Sequence, residues 1–299
     1  MSTAVSLTTR KVYGVERVCA AWGIARSSFY SARSWAHTAP AGRSKPGPKP
    51  ALDDATLLAL IRADLAASPF TGEGHRKVHA RLHFVAGHRV GRGRVLRLMR
   101  EHHLLSPHRT STAQAKTHDG RIGTDSPNVL WATDGTKIWT EEEGWVWVFT
   151  VLEHWNAELL GFHVCKRGDR YAAYEPVSQA LQRIFGSTQA EVARGVHLRH
   201  DHGSQYLTDY FQGCSRFHGF TPSLALVGEP QTNGVVERFN RTLKEQIIHG
   251  HTYKNCTQLQ AALRTFADLY NHQWRLEKLR YRTPVETRQA YQQSSHQAA

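Results

Sequence analysis

VLWATDGTKIWTEEEGWVWVFTVLEHW, residues 129–155, is the stretch that decides the fold. Residues 129–139 and 145–155 are two runs rich in aromatic and β-branched side chains, the composition of half-buried strands. Glu141, Glu142, Glu143 and Gly144 between them read as a turn. The first run carries a single acid, Asp134, after the apolar Val129, Leu130, Trp131 and Ala132. A charge there is costly unless it is paired or binds a metal ion.

Reading outward toward the C-terminus, ELLGFHVCK (158–166) gives a third strand and YAAYEPVSQALQRIFGS (171–187) an amphipathic helix. GVHLRHD (195–201) is a fourth strand, TDYFQGCSRFHGF (208–220) a helix and TPSLAL (221–226) a short fifth strand. QTNGVVERFNRTLKEQII (231–248) is a long helix. Three strands in succession, followed by strands alternating with helices, predict an α/β fold: a mixed five-stranded sheet with flanking helices.

Toward the N-terminus the pattern is helical. DDATLLALIRADLAA (53–67) opens on the capping acids Asp53 and Asp54 and stops at Ser68–Pro69. In HRKVHARLHF (75–84), Val78 and Leu82 share a face. In VGRGRVLRLMREHHLL (90–105), Val95, Leu98 and Met99 form an apolar stripe, with Arg92, Arg94, Arg97 and Arg100 mostly off it. A basic face opposite such a stripe suits the DNA backbone; a merely solvated charged face is the alternative. Two short helices around Gly23 give residues 1–38 helix-turn-helix spacing. The expected organisation is a helix-turn-helix-like segment (1–38), a basic Pro/Gly linker (39–50), a helical DNA-binding subdomain (51–118), a catalytic core (119–292) and a disordered tail (293–299). The linker APAGRSKPGPKP holds four prolines in twelve residues and cannot continue a helix.

The charge distribution names the partner. Residues 1–128 carry 20 Lys/Arg against 8 Asp/Glu and residues 129–299 carry 18 against 17, within a whole-chain charge of +13. A basic front half points to a polyanion, double-stranded DNA first. No run of about 18 apolar residues suggests a membrane span, and MSTAVSLTTRKVYG lacks the apolar core of a secretory signal. The expected location is the cytoplasm, in association with the nucleoid. Cys19, Cys165, Cys214 and Cys256 are far apart, which argues against disulfides and against a paired-cysteine zinc site.

Three acids are the candidate catalytic residues and metal ligands: Asp134, Asp201 at the end of the fourth strand, and Glu237 early in the last long helix. On that helix Val236, Phe239, Leu243 and Ile247 form the buried stripe, and Glu237 borders it beside Arg241 and Lys244. Carboxylates without nearby cysteines favour a hard cation, Mg²⁺ with Mn²⁺ as substitute. Two such ions would clamp the attacking and leaving oxygens of an in-line phosphoryl transfer. Arg92, Arg94, Arg97, Arg238, Arg241 and Lys244 are candidate DNA contacts. His75, His79 and His83 recur at helical spacing, but a solvated or phosphate-facing stripe is the better reading than zinc. The tryptophans of the first two strands read as core or edge packing, with a stacking platform for unpaired bases as the minority reading.

At these residues the chain resembles the second-reading-frame transposases of the insertion-sequence-three family, relatives of retroviral integrases. WATDGTKIW surrounds the first Asp, RHDHGSQY the second and NGVVERFNRTLKE the Glu, and 35 residues separate Asp201 from Glu237. YNHQWRLEKLRYRTPVE is similar to the family's closing motif. The resemblance implies a ribonuclease-H-like core and a triad of Asp134, Asp201 and Glu237. It further implies cleavage and strand transfer of element ends, a homo-oligomer assembled on DNA, and a partner made from an upstream frame. By the same resemblance His202, Ser204 and Gln205 touch DNA and Asn233 braces the turn before the Glu. His200, Gly135 and Thr232–Asn233–Gly234 depart from the usual pattern. Two other readings are a non-enzymatic DNA-binding protein and a ribonuclease-H-like nuclease or junction resolvase.

Overall fold

The computed structural model describes residues 3–38, 51–106, 123–224 and 234–298. It divides into two compact units, Met1–Ala51 and Leu52–Ala299. In the first, α1 (Gly14–Ala21) and α2 (Arg26–Thr38) flank a turn at Gly23, whose φ of +65° is one that glycine adopts without strain. The linker expected at 39–50 lies outside the described residues.

The second unit opens on three helical pieces: α3 (Asp54–Ala67), α4 (His75–Ala80) running into a π-helical turn (Arg81–Val85), and α5 (Arg92–Glu101). Asp53 caps α3, its carboxylate accepting the Thr56 N–H at 2.6 Å. The helices close over a core of Leu57, Ile61, Val78, Leu82, Val90, Val95, Leu98 and Met99, joining the apolar stripes expected from periodicity. This block and the sheet belong to one compact unit, where the sequence suggested two segments.

The sheet has five strands in the order β3-β2-β1-β4-β5: β1 (Leu130–Thr140), β2 (Gly144–Glu153), β3 (Leu159–Cys165), β4 (His197–His200) and β5 (Thr221–Leu224). β1 pairs antiparallel with β2, and β2 with β3; β1 with β4 and β4 with β5 are parallel. On one face, α6 (Arg170–Phe185) and α7 (Asp209–Phe217) cover Trp131, Phe149, Val151 and Leu198. On the other, α8 (Gly234–Leu243) and α9 (Cys256–Gln273) cover Ala132, Ile138, Val146 and Val148. Gly161 lets α6 sit close on β3, since a Cβ there would lie 2.1 Å from the Pro176 carbonyl oxygen.

The structure corrects the C-terminal reading. Residues 256–273 form the long helix α9, with Leu259, Leu263, Phe266, Ala267 and Tyr270 buried. The expected tail at 293–299 is largely the end of α10 (Pro284–Ala298). After Pro284 the segment contains neither Pro nor Gly, so nothing interrupts the helix. Thr283, Pro284 and Glu286 make a capping box: Thr283 Oγ1 accepts the Glu286 N–H at 3.2 Å and Glu286 accepts the Thr283 N–H at 2.9 Å. Arg288, one turn on, reaches Glu158 at 2.5 Å and Glu153 at 3.5 Å, both carboxylates being buried. Asn271 accepts the Leu159 N–H and donates to the Leu159 carbonyl. The closing motif therefore fastens the last helices to one end of the sheet. Among the described residues no helix is long and apolar enough to cross a membrane.

Candidate active site on the central strand

Asp134 lies on the central strand, on the face covered by α8. The apolar side of α8 (Val236, Phe239, Leu243) packs into the core with Ala132 and Ile138, which sets the neighbouring row, Glu237, Asn240, Arg241 and Lys244, beside Asp134. Asn240 Nδ2 donates to Asp134 Oδ2 at 2.6 Å, and the Gly135 N–H donates to Oδ1 at 2.9 Å. Asp134, Gly135, Thr136, Glu237, Asn240, Arg241, Lys244, Glu245 and His249 line one cleft of about 470 Å³. Burial raises the Asp134 carboxyl to about 6, and the charges of Asp201 and Glu237 push the same way. A bound cation would relieve that repulsion.

Asp201 follows the last residue of β4. The β1–β4 pairing ends with Ala132 opposite Arg199, so Asp134 and Asp201, each two residues further on, stand at the same level of adjacent parallel strands. Asp201 is exposed, and its Oδ1 accepts the Gly203 N–H at 2.8 Å. It does not line the cleft, although its charge is felt by Asp134. Among the described residues no three His, Cys, Asp or Glu side chains are grouped closely enough to hold a metal ion. Asp134 and Glu237 share the cleft; Asp201 stands beside it with one oxygen held by its own loop. The donor chemistry fits a hard divalent cation, and closing three ligands on one ion requires at least one of these side chains to move.

Models of the integrase core domain match residues 124–230 and 218–284. The transposase for insertion sequence element IS629 of Shigella sonnei is 27% identical over 292 residues, covering 94% of this chain and 94% of that protein. The putative transposase InsK for insertion sequence element IS150 of Escherichia coli is 25% identical over 229 residues, covering 72% and 77%. The transposase InsF for insertion sequence IS3A of Escherichia coli is 27% identical over 149 residues, covering 50% and 49%. The chain carries an integrase core domain, and along most of its length it is similar to transposases of insertion sequences. It is an enzyme of the transposase/integrase class, with the mixed, helix-flanked sheet of an integrase core.

Apart from Asn233, the other expected site residues fall into three groups. Arg238 and Arg241 are exposed on α8, and Lys244 lines the cleft half-buried. His202, Ser204 and Gln205 lie on the loop after Asp201; at Gly203 a Cβ would stand 2.5 Å from the Gln205 side-chain amide, which would have to move aside. Arg94 and Arg97 both hold Asp54, at 2.6 and 2.5 Å, and Arg97 also pairs with Glu101, so they brace α5 against α3. Arg92 stands 4.0 Å from Glu277. Asn233 lies outside the described residues.

His200 is buried, stacked on Tyr206 and hydrogen-bonded through its two ring nitrogens to Gln212 and to the Asp201 carbonyl. It shapes the loop that carries Asp201. His79 and His83 stack on each other and bond the carbonyls of Val90 and His88, which leaves the stripe a packing role. Sequence reasoning missed Asn240 and His249. Asn240 had a signal, since it sits one turn after Glu237 on the same row; His249 had none.

Proposed function

We propose that this transposase cuts and joins DNA strands at the ends of its mobile element, using Asp134, Asp201 and Glu237 as one catalytic set. The observation that carries the proposal is Asp134: a half-buried acid on the central strand, sharing a cleft with Glu237, Arg241 and Lys244 of the facing helical row. Carboxylates with cations beside them suit a phosphodiester approached along its backbone. Mg²⁺, with Mn²⁺ as substitute and two ions in the complete site, would supply charge neutralisation and a more acidic attacking hydroxyl when bound. Asp134 and Glu237 would hold such ions from opposite walls, and Asp201 would join them from the neighbouring strand. Asn240 holds one oxygen of the Asp134 carboxylate and the Gly135 N–H the other, which fixes its orientation at the cleft.

Arg238 and Arg241 on α8, with Lys244 directly after its end, would track the DNA backbone, with His202, Ser204 and Gln205 approaching from the loop after Asp201. Double-stranded DNA, as element end and as target, is the proposed substrate. A homo-oligomer on DNA and an upstream-frame protein are the proposed partners, and the nucleoid in the cytoplasm the proposed location. The test is incubation with duplexes carrying the element ends, with and without Mg²⁺, scored for nicked and joined products. Mg²⁺-dependent joining is expected from the wild type. Asp134→Asn, Asp201→Asn and Glu237→Gln should each abolish it while retaining DNA binding. Cleavage surviving in any of the three would refute the assignment, and RNA cleavage in an RNA–DNA hybrid would point instead to a ribonuclease-type activity.

A further inference from the structure

The β1–β2 hairpin outruns the rest of the sheet. β3 pairs only with residues 147–152 of β2, and β4 only with Leu130–Ala132 of β1. Beyond those limits the hairpin has helical cover on one face alone. There Ile138 and Val146 are buried with Tyr253 and Leu259, and the turn residues Glu142 and Glu143 cap the start of α9 through Asn255 Nδ2 and the Cys256 N–H. On the opposite face, Trp139 and Trp145 stand directly across from each other, 55% and 60% exposed, with rings packed edge to face 5.6 Å apart.

Lys137 and Trp147 form the next cross-strand pair, with Lys137 Nζ 4.8 Å from the centre of the Trp147 ring. Gly168 lies flat against the same indole: a Cβ there would meet it at 2.5 Å. Two residues on, Arg170 covers exposed Tyr171, which packs against Tyr210. Lys137, Lys166, Arg167 and Arg170 are all exposed, and among the described residues none is within ion-pair distance of a carboxylate. A soluble protein gains nothing in folding by leaving two indoles in water.

From this juxtaposition we infer that the Trp139–Trp145 pair and its neighbouring cations are a binding surface for single-stranded DNA. Indole faces accept the π-faces of unpaired bases irrespective of sequence, and cations beside them neutralise the phosphates. Bases in a duplex are already stacked on one another and cannot reach these rings, so the surface selects strands that have been unpaired. Strand cutting and joining leaves such unpaired flanks. The inference rests on the DNA-acting reading of the family but not on the carboxylates, since Trp139 and Asp134 project from opposite faces of β1.

The test is equilibrium binding of the full chain, without divalent ions, to a labelled single strand and to a blunt duplex of equal length. Trp139→Ala and Trp145→Ala are each expected to weaken single-strand binding by about five- to twentyfold, with duplex binding changed less than twofold. Trp145→Phe should restore most of the loss. Unchanged duplex binding doubles as the check that the variants are folded. A second measurement needs no variant: photocrosslinking of a 5-bromouracil-substituted single strand to the wild type should label the peptide spanning residues 137–147. Equal losses on both substrates, wild-type single-strand affinity in the alanine variants, or crosslinks confined elsewhere would each overturn the inference. So would a fall in oligomer mass in the variants without a binding defect, which would make the surface a contact between copies. Nicking assays with the triad variants report separately on the carboxylates.

Discussion

Removing the charge of Asp134 is expected to stabilise the ion-free chain while destroying its activity. The folded carboxyl titrates near about 6 against an ordinary 3.8. The unfolded chain therefore gives up this proton at lower pH than the folded one. Stability falls as pH rises from about 4 to about 6, and the deficit is then constant. Asp134→Asn should abolish that slope and raise stability at pH 7 by about 1–3 kcal/mol, measured by urea unfolding in chelator at pH 4.5 and pH 7. A variant no more stable than wild type at pH 7 would show that the acid is not under strain. Asn240 acts on the same carboxylate. Asn240→Ala is expected to lower strand joining by about 10- to 100-fold with end-DNA affinity unchanged, and to shift the Mg²⁺ concentration at half-maximal rate upward. The three acids were legible from their neighbours and spacing. Asn240 carried only its place one turn after Glu237 on the same row, because an amide among polar helix residues gives no mark of what it faces.

At the level of elements, the strands announced themselves through their aromatic and β-branched runs, and α6, α7 and α8 through apolar periodicity. α9 has an equally regular stripe, from Leu259 to Tyr270, but it was passed over for the motif that follows it. The hydrogen bonds of Asn271 and the reach of Arg288 explain that motif only once the sheet is in place, since their partners lie more than a hundred residues away. Arg288→Ala would leave Glu153 without its ion pair and Glu158 with Arg183 alone among arginines. The expected cost is about 3–5 kcal/mol, read from chemical denaturation. Thr283→Ala, which removes only the side-chain half of the capping box, should cost about 1 kcal/mol. If the two variants were equally stable, the buried acids would not be what holds α10 to the sheet.

For the molecule as a whole, the basic front half suggested where DNA lies, and the fold redistributes that suggestion. Arg94 and Arg97 are engaged with Asp54, whereas Arg241 and Lys244 line the cleft and Arg238 is exposed on the same helix. Replacing any one of the latter three with Ala should reduce the slope of log affinity against log salt by about 1 on duplex ends. Arg97→Ala should leave that slope unchanged. The mixed five-stranded sheet and its flanking helices were legible in the sequence; the sheet order and the level of Asp201 beside Asp134 come from strand pairing. The turn that points an Asp201 oxygen at Gly203 was not legible, because it depends on backbone geometry in a loop. The most direct test of the central claim is therefore a crystal structure of the chain on element-end DNA with Mn²⁺, located by its anomalous scattering. The account predicts Mn²⁺ coordinated by oxygens of Asp134, Asp201 and Glu237, with Asp201 released from the Gly203 N–H. Manganese bound without Asp201, or held away from Asp134 and Glu237, would contradict it.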